Sequence, residues 1–267
     1  MRPQQGLGDR RFGVINRIGL FTLARREVMR FMSIWMQTIA GPLVSTGLML
    51  AVFAVAIGPQ RGEVMGLPYL VFLTPGLMMM SVIQNAFANT SSSLMVAKVQ
   101  GSIVDTLMPP LSPLEMVLGY TAGGVARGLV VALALGGAVA VMFGSWPVHP
   151  LWALTFAVLG GAMMGGLGLI AAVYAQKFDQ MAVITNFVIT PLSFLSGSFY
   201  SLEALPPILA KLSHLNPVFY LIDGMRFGMI GRSDSAPELG LAVCTVTTVG
   251  VLGLCWHWFR IGYRIKS

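Results

Sequence analysis

Between Ile34 and Trp258 the chain repeats apolar runs that are each long enough to cross a bilayer, and this limits its fold more than any other feature. A hydrocarbon core about 30 Å thick takes about 20 apolar residues as a helix. The first run, IWMQTIAGPLVSTGLMLAVFAVAI, covers Ile34 to Ile57, 24 residues. The second lies at Leu67 to Thr90, within an uncharged stretch from Val64 to Ala97. The third, Met116 to Phe143, carries only Arg127, and the fourth, Leu151 to Ala175, follows the turn GSWPVHP. The fifth is Met181 to Tyr200 and the sixth Leu239 to Trp258. Backbone amides in lipid must be bonded internally, which leaves helices as the form for runs of this kind. The expectation is an all-α membrane protein with six transmembrane helices.

Composition excludes a soluble domain. The chain is 55% hydrophobic and 10% charged, whereas a soluble domain carries roughly 25% charged residues. The first 33 residues do not read as a signal peptide, because the apolar run after them exceeds the about 7–15 residues of a signal core. Cys244 and Cys255 both fall in the last run. On one helix they stand ~16 Å apart, beyond the ~7 Å that a disulfide spans. They read as packing residues.

Charge sets the direction. The net charge is +7, but its distribution matters more than its sum. Arg2, Arg10, Arg11, Arg17, Arg25, Arg26 and Arg30 crowd the N-terminal end, and Arg260, Arg264 and Lys266 close the chain. With six spans both termini share one side. That side also gains Lys98 and Lys177 for a total of 12 basic residues; the other holds Arg61, Lys211, Arg226 and Arg232, a total of 4. Positive residues mark the cytoplasmic side, so both termini are expected there. The basic residues flank membrane spans, where anionic lipid attracts them, and nucleic acid is not an expected partner.

Three stretches outside the spans carry information. In NRIGLFTLARREVMRFMSIW, Ile18, Phe21, Val28, Phe31 and Met32 recur near helical spacing with arginines between them, which predicts an amphipathic helix along the interface. The loop SSSLMVAKVQGSIVDTLMPPLSPLEMVLGY is the longest on the cytoplasmic side. Serines that can cap a helix precede its middle, Val96 to Leu107, and Pro109, Pro110 and Pro113 stop it. That predicts a short helix with Val99, Ile103 and Leu107 on its apolar face, which would serve equally as a docking plug or a stiff connector. After LSGSFYSLEALPP, two pieces of 10 to 14 residues meet at Asn216-Pro217. Ile208, Leu209, Leu212 and Leu215 line one, and Val218, Leu221, Ile222 and Met225 the other, with Asp223 and Arg226 off the stripe. Both are too short to span, which predicts a re-entrant hairpin on the outer face.

Catalytic chemistry finds no footing. No pair among His149, His214, His257, Glu115, Asp179 and Glu238 has metal-ligand or acid–base spacing. Arg127 is an intramembrane charge without a visible acidic partner, at a cost of ~3 kcal/mol on insertion scales, so it should face protein or water. Gly119–Gly123 and Gly161–Gly165 have the small-xxx-small spacing of close helix packing.

The segment FLSGSFYSLEALPPILAKLSHLNPVFYLIDGMRFGMIG resembles the C-terminal signature of ABC-2 type exporter permeases. The family pattern falls on Phe194–Ser201, Leu205–Pro206, Asn216–Pro217, Asp223 and Arg226. RREVMRFMSIWMQTIAGPL is similar to the family's interfacial helix entering span one, and the loop from Ser91 to Tyr120 to its coupling-helix region. The resemblance implies residues 1–33 as a cytoplasmic tail and interfacial helix, 34–260 as a single transmembrane domain, and 261–267 as a second tail. It implies a coupling helix near 96–107 and re-entrant helices near 206–231.

Further implications concern partners. The resemblance implies a second permease copy and a separate ATPase subunit that carries the ATP and Mg²⁺; this chain has no phosphate-loop pattern and binds no cofactor of its own. It places Arg25, Arg26, Glu27, Val96, Lys98, Val99, Gln100, Gly101, Ser102, Ile103, Asp105 and Leu107 at the ATPase contact. Phe199, Tyr200, Asn216, Pro217, Phe219, Tyr220, Asp223 and Arg226 fall at the outer gate. The expected location is a bacterial inner membrane, with lipid around the chain and an amphipathic, glycan-linked or lipid-like cargo. A secondary carrier, a channel or a non-transporting scaffold of the same fold are the other readings.

Overall fold

Small residues, more than large ones, decide how this chain packs. A computed structural model describes residues 15–56, 58, 62–144, 146–202 and 206–264. Arg2, Arg10, Arg11, Ile57, Arg61, Leu205 and Lys266 lie outside the described residues, as do the side chains of Leu107 and Leu209.

The chain opens with α1 (Arg17–Met32), followed by a π turn (Met36–Ala40) that leads into α2 (Gly41–Ala56). A tight hairpin of β1 (Glu63–Val64) and β2 (Leu67–Pro68) comes next, turning at Met65 and Gly66, both at positive φ. Then follow α3 (Tyr69–Val99), α4 (Ile103–Leu107), α5 (Pro113–Phe143) and α6 (Pro150–Tyr174). A helical run of α7 (Phe178–Ile184), a second π turn (Thr185–Ile189) and α8 (Thr190–Phe194) comes after them. The chain ends in α9 (Pro207–Leu215), α10 (Pro217–Ile230) and α11 (Pro237–Ile261). Among the described residues five helices are long and apolar enough to cross a membrane: Met36–Ala56, α3, α5, α6 and α11. Among the described residues the protein is an all-α membrane protein apart from one hairpin.

The parallel pair α3 and α6 forms the centre: Gly160 lies by Met79, Gly168 by Phe87 and Thr90, and Ala172 by Lys98. In the most apolar stretch of each, 72% of residues are buried, against 11% for the first span. Glycines permit the approach. A Cβ on Gly168 would overlap the backbone carbonyl of Phe87 at 2.6 Å, and one on Gly161 would meet Val125 of α5 at 3.0 Å. Gly119 and Gly123 do the same for α1, which lies against the first turns of α5: a Cβ on Gly119 would reach Leu23 at 2.6 Å, and one on Gly123 would strike the Cβ of Glu27. The small-residue spacing read from the sequence therefore packs helices within this chain.

Helix ends follow local chemistry. Ser112 and Glu115 form a reciprocal capping box at α5, with Pro113 at the first helical position. Both π turns precede a proline, Pro42 and Pro191. Each ring would meet the carbonyl four residues back, that of Thr38 or Phe187, and the wider turn relieves the clash.

Five expectations are corrected. The second span does not stop near Thr90; α3 continues to Val99, because Ser91 and Ser92 bond back to the carbonyls of Ala88 and Asn89 and so stay helical. The serines cap nothing, and the single helix expected over Val96–Leu107 is the last turn of α3 followed by α4. The break falls at Gly101, whose φ of +72° a helix cannot accept. The fifth run ends at Phe194 rather than Tyr200, and the chain turns at Gly197, φ +76°. In α1 the face packed on α5 is Leu23, Glu27 and Phe31, while Ile18, Phe21 and Met32 are exposed. In α10 Asp223 and Arg226, expected off the apolar stripe, are as buried as Leu221 and Ile222.

Candidate functional site

At the end of the bundle where α1, α4 and the start of α5 meet, arginines tie three elements together. Arg26 donates to Thr106 of α4 at 3.1 Å and to the Tyr120 hydroxyl of α5 at 3.2 Å, and its guanidinium sits 5.7 Å from the Tyr120 ring centre. Glu27 is wholly buried beneath it. It accepts from Ser93 at 2.8 Å and pairs with Arg26 and Arg30 at 3.2 and 3.3 Å. A buried carboxylate survives in such a place only because cations and a hydroxyl surround it. Arg30 extends the lattice to Ser92 and to both oxygens of Asn89. At the base of α1, Asn16 accepts from Gly19, donates to Pro110 and reaches Glu115 through its backbone.

The residues expected at an ATPase contact divide on this geometry. Arg25, Val96, Val99, Gln100, Gly101, Ser102 and Asp105 are exposed, and Arg26 is about half exposed. Glu27 and Ile103 are buried in their own chain. Lys98 is turned inward, its ammonium bonded to the carbonyls of Ala172, Val173 and Ala175 at the end of α6. The apolar knob that does project is Val99, Val104 and Met108, 51%, 54% and 77% exposed. Val104, Met108 and the latch residue Thr106 were missed, because a continuous helix was assumed where Gly101 resets the phase.

At the opposite end, Arg226 is the centre of a clasp. It is fully buried and pairs with Asp234 at 2.8 Å and Asp223 at 3.3 Å. It also donates to the Gly197 carbonyl at 2.6 Å and lies 4.3 Å from the centre of the Phe72 ring. Asp223 accepts from the backbone of Asp234 and Ser235 and from the Ser235 hydroxyl. Asn216 caps α10 through Val218 N and holds Ser196 at 2.8 Å, with Pro217 at the first helical position. Four signature residues thus bind the exit of α8, the start of α10 and the 231–236 loop into one block. Of the expected gate aromatics, Phe219 and Tyr220 are buried. Phe199 stacks with Phe53 and Phe194 at 5.3 and 5.4 Å, and Tyr200 donates to the Leu195 carbonyl.

Between these ends a recess of about 400 Å³ opens between α3 and the α7–π turn–α8 run. Gln84, Asn85 and Ser92 form one wall, and Thr185 and Thr190 the other. Arg127 stands behind Asn85: its Nε donates to Asn85 Oδ1 at 3.2 Å, and among the described residues it makes no ion pair.

A clasped α8–α10 end, a latched α1–α4 end and a recess between them, all carried on apolar helices, are the frame of a membrane permease. The chain belongs to the ABC-2 type transporter family, whose sequence profile matches residues 19–230. It is 39% identical over 253 residues to the Escherichia coli (strain K12) protein named "Inner membrane transport permease YadH", covering 94% of this chain and 98% of that one. Two proteins named "Nodulation protein J" are also similar. That of Sinorhizobium fredii (strain NBRC 101917 / NGR234) is 28% identical over 227 residues, 84% of this chain and 86% of that one. That of Neorhizobium galegae is 25% identical over 240 residues, 87% and 88%.

Proposed function

We propose that this chain is the membrane-spanning subunit of an ATP-driven exporter in a bacterial inner membrane, with both termini cytoplasmic. The α7–α8 run joins the five long helices as a sixth span. At 17 residues and ~25 Å it falls short of the core thickness, and the turn at Leu195–Tyr200 completes the crossing. The helix α1 lies at the cytoplasmic interface with Ile18, Phe21, Met29 and Met32 toward lipid, all exposed on the side away from α5. The outer hairpin is α9 and α10, with the exposed Ile208, Leu212 and Leu215 of α9 at the opposite interface.

Motive force comes from a separate ATPase subunit, which holds ATP and Mg²⁺, and two permease copies form the complete exporter. The observation that carries this reading is the bond from Arg26 to Thr106. It joins α1 to the very segment whose apolar knob, Val99, Val104 and Met108, is left exposed by the described residues. Movement of a docked subunit against that knob passes to α1 and α5 through Arg26, Tyr120 and the Glu27 lattice. The cargo is an amphipathic, glycan-linked or lipid-like molecule moved out through the recess by alternating access.

The test is purification of the tagged chain from its native membrane in a mild detergent. A stoichiometric P-loop ATPase should accompany the wild type and be lost in a Val104→Asp, Met108→Asp variant that still purifies as a monodisperse species. A chain that carries no ATPase from a membrane containing its neighbours' products would return the carrier and scaffold readings.

A further inference from the structure

We propose that the recess between α3 and the α7–π turn–α8 run is an anion site that takes the phosphate of an amphiphile in the inner leaflet. This rests on the permease reading for its orientation, and it adds the chemistry of what the recess receives.

Depth is the first observation. The helices α3 and α5 each have 31 residues, or ~46 Å, while the hydrocarbon core is about 30 Å thick. About 20 residues counted from their outer ends, Tyr69 and Phe143, reach Ala88 and Gly124. Arg127 and Asn85 each lie one turn before that boundary, and Asn89 and Arg30 just past it. A guanidinium there is ~5 Å inside the hydrocarbon edge, within side-chain reach of the headgroup phosphates rather than in mid-membrane.

Charge is the second. Among the described residues Arg127 has no carboxylate partner, and the charge that acts on it most is Arg30, of like sign. Glu27 is already engaged by Arg26 and Arg30. Asp179 is exposed on α7, with the exposed Lys177 two residues away. The surplus is therefore positive, and it stands behind the recess. Arg127 is bonded to Asn85 and Arg30 to Ser92, and both of those polar side chains line the cavity. None of the lining residues is acidic. Only the Nε of Arg127 is used within the chain; its terminal nitrogens make no hydrogen bond among the described residues.

Shape is the third. The opposite wall holds the π turn Thr185–Ile189 before Pro191, which sets Thr185 and Thr190 in the lining. Met95, Met181 and Ile189 make the rest of the lining apolar. A phosphate with an apolar tail satisfies both parts; a free anion uses only one.

The test uses the intact chain in a maltoside detergent, which carries no phosphate, with adducts counted by native mass spectrometry. The probes are phosphatidic acid, diacylglycerol of the same acyl chains, and inorganic phosphate. Phosphatidic acid should bind at least tenfold more tightly than diacylglycerol, the scale of a charge-assisted pair. Arg127→Gln should abolish that preference and Arg127→Lys should keep part of it. Asn85→Asp should also abolish it without harm to the fold, because it gives Arg127 the carboxylate it lacks. Equal binding of the two lipids, or a preference that survives Asn85→Asp, overturns the proposal. Inorganic phosphate binding as tightly as phosphatidic acid would keep the anion site and overturn the amphiphile as its occupant. The assay contains no ATPase. Co-purification of an ATPase without lipid preference therefore sinks this inference alone, and preference without co-purification sinks the permease reading alone.

Discussion

Lys98 Nζ lies 2.8 Å from the carbonyl oxygen of Ala175, the C-cap of α6, and donates to Ala172 and Val173 at 2.9 Å. Three carbonyls that the helix leaves open at its end thus converge on one ammonium. Arg264 supports the same helix end through the Tyr174 carbonyl and ring.

Lys98→Met should therefore lower stability by ~1–2 kcal/mol, nearer the lower figure because the residue is only part-buried. Lys98→Glu should cost more, since it sets a carboxylate against three carbonyls. Thermal unfolding in detergent gives the measurement, and an unchanged midpoint in both variants would remove the cap. A Lys98 variant that loses an ATPase partner reports on the fold and not on the contact.

Gly123 is the narrowest point between α1 and α5. A Cβ there would strike Glu27 and approach Asn89 Nδ2, a buried donor that already has no acceptor. Gly123→Val should destabilise by ~1–3 kcal/mol and free α1, seen as faster tryptic cleavage at Arg25 and Arg26. Gly137, with nothing within 4 Å of its Cβ position, should accept the same substitution with little change.

The apolar runs made the long helices legible, since a run of about 20 residues leaves the backbone one way to satisfy itself. The Asn216-Pro217 break was legible too, because an N-cap and a first-turn proline are local signals. What failed was phase and partnership. Nothing local says that Ser91–Ser93 stay helical; Ser93 does so while bonded to Glu27, 66 residues earlier. Glu27 read as a surface residue because the cations that allow its burial gather only when α1 packs on glycines. Asp234 entered no site reading, yet it holds Arg226 more closely than Asp223 does. It lies eight residues away across a turn, and spacing on a single helix cannot reveal it.

That pairing sets a further expectation. Arg226→Met leaves Asp223 and Asp234 as buried carboxylates without a cation, and breaking a buried pair on one side costs ~3–5 kcal/mol. The variant should lose most of its folded yield, and protease should cut the 231–236 loop. Adding Asp234→Asn should recover part of the midpoint, because one unpaired charge is removed. A double variant no better than the single would mean that the Gly197 carbonyl and the Phe72 ring, not the carboxylates, are what Arg226 holds.

Arg26 offers the sharpest separation of coupling from stability. It is about half exposed, and Glu27 keeps Arg30 and Ser93 without it. Arg26→Ala should then cost within ~1 kcal/mol and leave the unfolding midpoint nearly unmoved. The α4 segment, however, loses its bond to α1 through Thr106. Hydrogen exchange should quicken in the peptide covering residues 102–108 while exchange in α5 beyond Tyr120 stays as it was. Arg26→Lys, which can reach one partner but not fork to two, should fall between. If exchange in 102–108 is unchanged in Arg26→Ala, the proline corner at Pro109–Pro110 holds α4 unaided, and force applied at Val104 and Met108 has no path to α1 through this arginine.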